Sequence, residues 1–154
     1  MFLTKVKYTK QLDNGAYKRV IESYLFAVST DSFTECETRV YKELREQIRG
    51  EFIITKMDRF QVHDILGHPD NKTRDKWFLA KLDHESLDDD GQSYRAVKLR
   101  FLINDNDIQG AKDNLNEFIQ ETYHPNVPQL KSIAETPIID YFPYSPEDAE
   151  SDHY

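Results

Sequence analysis

A chain of 154 residues and 18.2 kDa is near the usual size of one domain, long enough to bury roughly 70% of the surface its unfolded form exposes. With 38% hydrophobic and 12% aromatic residues and only 5 Gly and 6 Pro, it is neither collagenous nor disordered throughout, and no apolar run reaches the ~18 residues a membrane span needs. Residues 1–60 hold 11 Lys/Arg against 9 Asp/Glu and residues 61–154 hold 9 against 19, so the two parts carry +2 and −10. This balance argues against bulk polyanion binding and leaves room for a local basic face.

The opening Met1-Phe2-Leu3-Thr4-Lys5-Val6-Lys7 interrupts its apolar residues with lysine, where a signal peptide keeps an unbroken apolar core. The expectation is a chain that stays where it is made, in the cytoplasm. The single cysteine, Cys36, excludes an intramolecular disulfide and a multi-cysteine zinc site.

Phe2 to Lys10 alternates as a strand, Asp13-Asn14-Gly15 supplies a hairpin turn, and Tyr17 to Val28 returns as a second strand. Ser32 stands three residues before Glu35, the spacing of a capping box, and Phe33, Cys36, Val40, Leu44 and Ile48 recur at helical intervals. Gly50 is placed to end that helix, and Glu51 to Met57 reads as a third strand. The order is ββαβ.

The same order follows again, with a strand from Lys76 to Asp83, a loop at Asp88-Asp89-Asp90-Gly91, a strand from Tyr94 to Ile103, and a helix marked by Ile108, Ala111, Leu115 and Ile119. A displacement of 75 puts Phe26 on Phe101, Val28 on Ile103, Cys36 on Ala111, Val40 on Leu115 and Leu44 on Ile119; a displacement of 76 puts Met57 on Ile133, Val62 on Ile138 and Asp64 on Asp140. The expected architecture is therefore α+β: two tandem ββαβ units, about 1–67 and 74–144, joined as one pseudo-twofold domain of mainly antiparallel sheet with two helices. The link His68 to Thr73 is all turn formers and polar residues. Residues 145–154 hold four acids and no base and are expected to form a disordered tail.

Several short blocks stand out in their order: Lys5-Val6-Lys7-Tyr8, Asn14-Gly15, Lys18-Arg19-Val20, Tyr24-Leu25, Ser32-Phe33-Thr34-Glu35, Ile133-Ala134-Glu135-Thr136, Ile139-Asp140 and Phe142-Pro143-Tyr144. In these the chain resembles, from Phe2 to Tyr144, the family called domain of unknown function 4494. The resemblance implies an intracellular protein of a Bacteroidetes bacterium or of a phage or mobile element within one. It brings no catalytic residues.

Motifs for phosphate loops, dinucleotide binding, nucleophile elbows and zincins are absent. His63, His68, His84, His124 and His153 never pair at the i, i+4 spacing that aims two imidazoles at one metal. His63 and Asp64 are adjacent, so in a strand they point to opposite faces. The acids Asp88, Asp89 and Asp90, and Asp105 with Asp107, lack the offsets of a calcium loop and read as a solvated loop and a helix cap. Cys36 lies on the apolar helix stripe and reads as a small core residue. No catalytic residue, metal site or cofactor is expected, and the chain reads as a non-enzyme.

Opposite the expected core, Lys5, Lys7, Tyr17, Arg19, Tyr94, Lys98 and Arg100 interleave cations with aromatics, as a platform for single-stranded nucleic acid requires. The acids Glu147, Asp148, Glu150 and Asp152 and the terminal Tyr154 follow as a tail able to shield that face or recruit replication or host proteins. The leading reading is a single-stranded nucleic-acid-binding protein of phage or mobile-element replication or recombination. Its alternative is a protein–protein interaction module, an inhibitor or scaffold with a counter-defence role, acting through acidic surface and sheet edges. A metal-dependent nuclease using the Asp clusters is the third and weakest reading.

Overall fold

The computed structural model describes residues 1–67, 75–87 and 91–144. The expected tail at 145–154, the link at His68 to Thr73 and the acids Asp88 to Asp90 lie outside the described residues. The elements in chain order are β1 (Phe2–Gln11), β2 (Tyr17–Phe26), α1 (Phe33–Leu44), β3 (Phe52–Arg59), β4 (Asp64–Leu66), β5 (Lys76–Leu87), β6 (Tyr94–Asp105), α2 (Ile108–Tyr123), β7 (Gln129–Glu135) and β8 (Ile138–Phe142). The fold is α+β, with the described strands in two four-stranded sheets ordered β3-β1-β2-β8 and β7-β5-β6-β4. Neighbours are antiparallel except β2 with β8 and β4 with β6.

The chain divides into two compact units, one of Met1–Phe60 with the segment from Pro137, the other of Gln61–Thr136. These units do not coincide with the sequence repeats. The last strand of each repeat joins the sheet of the other: β8 pairs with β2, and β4 with β6. Both pairings are parallel, which no tight turn can produce, so each requires a strand delivered from elsewhere in the chain.

In the first unit the tip of the β1–β2 hairpin closes between Leu12 and Ala16, with the Leu12 amide donating to the Ala16 carbonyl at 2.7 Å. The sequence predicts positive φ at Asn14 and Gly15, but only Gly15 adopts it, at +84°. The Asn14 side chain instead accepts the Ala16 amide at 2.9 Å. The result is a three-residue loop ending in a left-handed glycine.

Ser32 caps α1, its hydroxyl accepting the Glu35 amide at 3.3 Å. Glu35 does not complete the expected capping box. Its carboxylate turns to Ser29 and Thr30, accepting both amides, at 2.9 and 3.0 Å, and both hydroxyls. Burial raises its pKa, but these bonds outweigh that and bring it from 4.5 to about 2. The helix ends at Leu44, earlier than Gly50 suggests; Ile48 still reaches the core from the following turn, where its amide bonds the Leu44 carbonyl at 2.8 Å.

Cys36, Val40, Leu44 and Ile48 pack on Phe2, Val6, Tyr24 and Phe26, all buried. Burial pushes the Cys36 thiol up, as suits a core residue. Arg39 is buried too, its guanidinium donating to the Ala27 and Pro143 carbonyls and pairing with Glu43 at 3.6 Å. It thereby ties α1 to the ends of β2 and β8. At the other end of the core face the Glu22 carboxylate accepts from the hydroxyls of Tyr8 and Tyr24. Burial and this carboxylate push Tyr8 up to about 12 and Tyr24 further.

The second unit repeats the design. Asp107 caps α2 by accepting the Gly110 amide at 2.7 Å, and Ala111, Leu115 and Ile119 pack on Phe78, Ala80, Leu82, Leu99, Phe101 and Ile103. The correspondence extends to irregularities. A bulge between Lys5 and Val6 leaves Thr55 of β3 unpaired, and one between Lys81 and Leu82 leaves Lys131 of β7 unpaired, both in accord with the displacement of 76. Asp64 and Asp140 each accept the amide of the next residue, at 2.8 Å.

The displacement of 75 holds for the helices. The second strand differs: Phe2 pairs with Phe26 and the equivalent Phe78 with Ile103, so Phe26 corresponds to Ile103 and Tyr24 to Phe101, a displacement of 77. A strand repeats every two residues, so 75 and 77 put the same apolar residues inward and only the pairing distinguishes them.

Candidate nucleic-acid interface

In each sheet one face packs under its helix and the other bears the residues singled out from sequence. Directly opposed residues of an antiparallel pair share a face. In the first unit, Lys5 faces Ser23, Lys7 faces Ile21, Thr9 faces Arg19, and Gln11 faces Tyr17. The register therefore gathers Lys5, Lys7, Tyr17 and Arg19 on the helix-free face. In the second, Tyr94 faces Leu87, Lys98 faces Asp83, and Arg100 faces Lys81, which gathers Tyr94, Lys98 and Arg100 likewise.

These faces change character along their length. At the end where Leu25 and Leu102 lie, both residues are fully buried, whereas toward the hairpin tips Tyr17 is 72% exposed and Tyr94 is 69% exposed. The two tyrosines are equivalent positions, opposite Gln11 and Leu87 at the first residue of β2 and β6. Each sheet thus offers an aromatic ring to solvent at the same place.

Residues missed from the sequence complete both surfaces. In the first unit Arg49, Gly50 and Ile53 join Lys7, Tyr17 and Arg19 around a concavity of about 540 Å³. Ile21 is 62% and Ile53 64% exposed, one on either side of Lys7. Lys56 stands opposite Lys5 and pairs with Asp58 at 3.3 Å. In the second unit Lys81, Lys131 and Ser132 join Lys98 and Arg100 around a concavity of about 560 Å³. Asp83 lies among them, 3.8 Å from Lys131.

Lys81 is recoverable from strand alternation once Arg100 is its partner. Lys131 is not, because a bulge sets two consecutive residues toward one face and breaks the period of two. Arg49 lies in the turn after α1, where no period applies.

The other candidates are accounted for structurally. His63 Nδ1 accepts the Arg100 amide at 3.1 Å and the His63 amide donates to the Arg100 carbonyl at 2.7 Å, while Asp64 accepts the Ile65 amide. His63 thereby ties the chain entering β4 to β6, whereas the Asp64 bond is local to β4. Asp105 accepts from Asn106 and Asn114. Among the described residues no group of three His, Cys, Asp or Glu is placed to hold a metal ion, and no helix is long and apolar enough to cross a membrane.

No curated protein and no solved structure matches the chain. A family model does match, over residues 1–144, a range that contains all the described strands and both helices. The chain belongs to the family described as Domain of unknown function (DUF4494).

Proposed function

We propose that this chain is a non-enzymatic protein that binds single-stranded nucleic acid in the bacterial cytoplasm, in replication or recombination of a phage or mobile element. The observation that supports it most is the pair of equivalent tyrosines, Tyr17 and Tyr94, each more than two-thirds exposed on a sheet face that further along carries Lys7 and Arg19 in the one case and Lys98 and Arg100 in the other. Ordering a large aromatic ring in water has no folding benefit, while a base stacked on it contributes about 1–3 kcal/mol. Lysine and arginine along the face follow the phosphates, and a duplex with its bases paired inside offers the ring nothing to stack on.

The acidic segment Glu147, Asp148, Glu150 and Asp152 with Tyr154 acts in this reading as a competitor for the cationic faces and as the capture site for a replication or host protein. A tethered anion reaches an effective concentration in the millimolar range for a short linker.

The test is equilibrium titration of the full chain with a fluorescent single-stranded oligonucleotide and with its duplex at low salt. Preference for the single strand, weakening as salt is added, is the expected result. Equal binding of the duplex, or none of either, would reject the reading. In that event the exposed Ile53 on the edge strand β3 favours the interaction-module reading, by addition of a partner strand at that edge.

A further inference from the structure

The two units differ in what fills the outer edge of the long hairpin, just past its last pairing with the neighbouring strand. β7 joins β5 as far as Asp83 opposite Gln129, and β3 joins β1 as far as Tyr8 opposite Phe52. Beyond that point in the second unit, the chain leaving α2 closes the edge. The Asn126 side-chain amide donates to the Glu85 carbonyl at 2.7 Å, His84 Nε2 donates to the Asn126 carbonyl at 3.0 Å, and the Tyr123 ring packs edge-on against His84. The displacement of 76 sets Gly50 at the place of Asn126 and Thr9 at that of Glu85. Gly50 serves its turn at φ +90°, has no side chain to offer Thr9, and stands in open space, where a Cβ would meet nothing within 4 Å. Where the second unit is plugged, the first is open.

The opening is the concavity of about 540 Å³ that Thr9 and Gly50 line together with Lys7, Tyr17, Arg19 and Arg49, a volume within the ~300–1,000 Å³ usual for small-ligand sites. Successive same-face residues of a strand stand ~6.6 Å apart. Along the face come Tyr17, then Arg19 opposite Thr9, then Lys7 opposite Ile21, while Arg49 enters from the turn after α1. Among the described residues none of these three cations is in an ion pair, although Glu51 also belongs to the lining. An exposed ring, two forked donors and an ammonium thus surround one space with their charge uncompensated.

We infer that this cleft holds one nucleoside phosphate, with the base on the Tyr17 ring and the phosphate one row along on Arg19 and Arg49, an inference that rests on the single-stranded reading above for its choice of a nucleotide. A terminal phosphate carries roughly −1.5 to −2 charges at pH 7 and exposes several oxygens, which suits two guanidinium forks better than the single charge of a linking phosphodiester. Lys7, in the next row, adds a point charge toward a second phosphate. The same chemistry is met in a free nucleotide and in the phosphorylated end of a strand.

The experiment is calorimetric titration of the full chain at low salt with adenosine, adenosine 5′-monophosphate, inorganic phosphate, and one short single-stranded oligonucleotide with and without a 5′-phosphate. The monophosphate should bind about tenfold or more tightly than adenosine, and Arg19→Ala with Arg49→Ala should erase that difference. Tyr17→Ala should weaken adenosine and its monophosphate alike, by about tenfold. All three side chains are exposed, so folding is retained, and unchanged melting temperatures check this.

A strand that tightens about tenfold on gaining its 5′-phosphate identifies the end of a nucleic acid as the ligand; strands that bind alike, with the monophosphate still preferred to adenosine, identify the free nucleotide. Inorganic phosphate binding as tightly as the monophosphate overturns the role of the base. Adenosine and its monophosphate binding alike, or the arginine variant keeping their difference, with the unphosphorylated strand still bound by the wild type, overturns the cleft as a phosphate site and leaves the single-stranded reading standing. Failure of the wild type to bind any strand overturns that reading and with it the choice of a nucleotide.

Discussion

Replacing Glu35 by glutamine tests the local reasoning at the start of α1. The carboxylate accepts from two amides and two hydroxyls of Ser29 and Thr30 and stands in the first helical turn, where negative charge is favoured by the backbone dipole. Its pKa falls from 4.5 to about 2. Taken whole, that difference is about 3 kcal/mol, but the group is open to water, and screening reduces the figure to about 1 kcal/mol. Because the folded-state value is the lower one, this stability is fully present above pH 4.5 and is lost as pH falls toward 2.

Glu35→Gln keeps the size of the side chain and removes the charge, leaving one acceptor oxygen where there were two. At pH 7 the variant should melt about 2–4 °C below the wild type, and the gap should close as the pH is taken down through 4 to 2. Circular dichroism melts of both proteins across that range provide the comparison. A gap that persists unchanged at pH 2, or none at pH 7, would refute the assignment of Glu35 as a charged cap.

Val40→Asp and Leu115→Asp, each placing an unpaired charge in a fully buried equivalent position, should cost more than about 4 kcal/mol and leave little folded protein; near-normal urea midpoints would show the cores misplaced. Gly67→Ala should lower stability by about 1–3 kcal/mol, since φ is +97° there and a Cβ would stand 2.9 Å from the Asn104 carbonyl oxygen; chemical denaturation measures it. Tyr17→Ala and Tyr94→Ala should each weaken single-strand binding by about 1–3 kcal/mol with no change in salt slope, and equal affinities for wild type and variants would remove the stacking role. A chain ending at residue 144 should bind the single strand more tightly than the full chain, most of all at low salt; identical titration curves would leave the tail with no part in nucleic-acid binding.

The helices and most strand faces were legible because side-chain period is a local property. Val40 and Leu115 declare their stripe, and Lys5 with Lys7 or Lys98 with Arg100 declare the opposite face of a strand. What escaped depends on pairing between distant segments. Nothing in Asp64–Leu66 or Ile138–Phe142 marks which sheet each joins, so the exchange of last strands is absent from any pattern within them. Lys131 escaped because the bulge changes parity, and Glu35 kept its capping-box spacing while finding four donors upstream of the cap. The single-strand platform rests on exposure, and Ile21 and Ile53 illustrate the difficulty: their character predicts burial, yet both lie open beside Lys7.

The most direct test of the proposed interface is a nuclear magnetic resonance titration of the isotope-labelled full chain with a short single-stranded oligonucleotide at low salt. Amides around Lys7, Tyr17, Arg19 and Ile53, and around Lys81, Tyr94, Lys98, Arg100 and Lys131, should shift in a saturable manner, while those of α1 and α2 remain in place. Shifts confined to the helices, or a spectrum unchanged at millimolar oligonucleotide, would contradict the account.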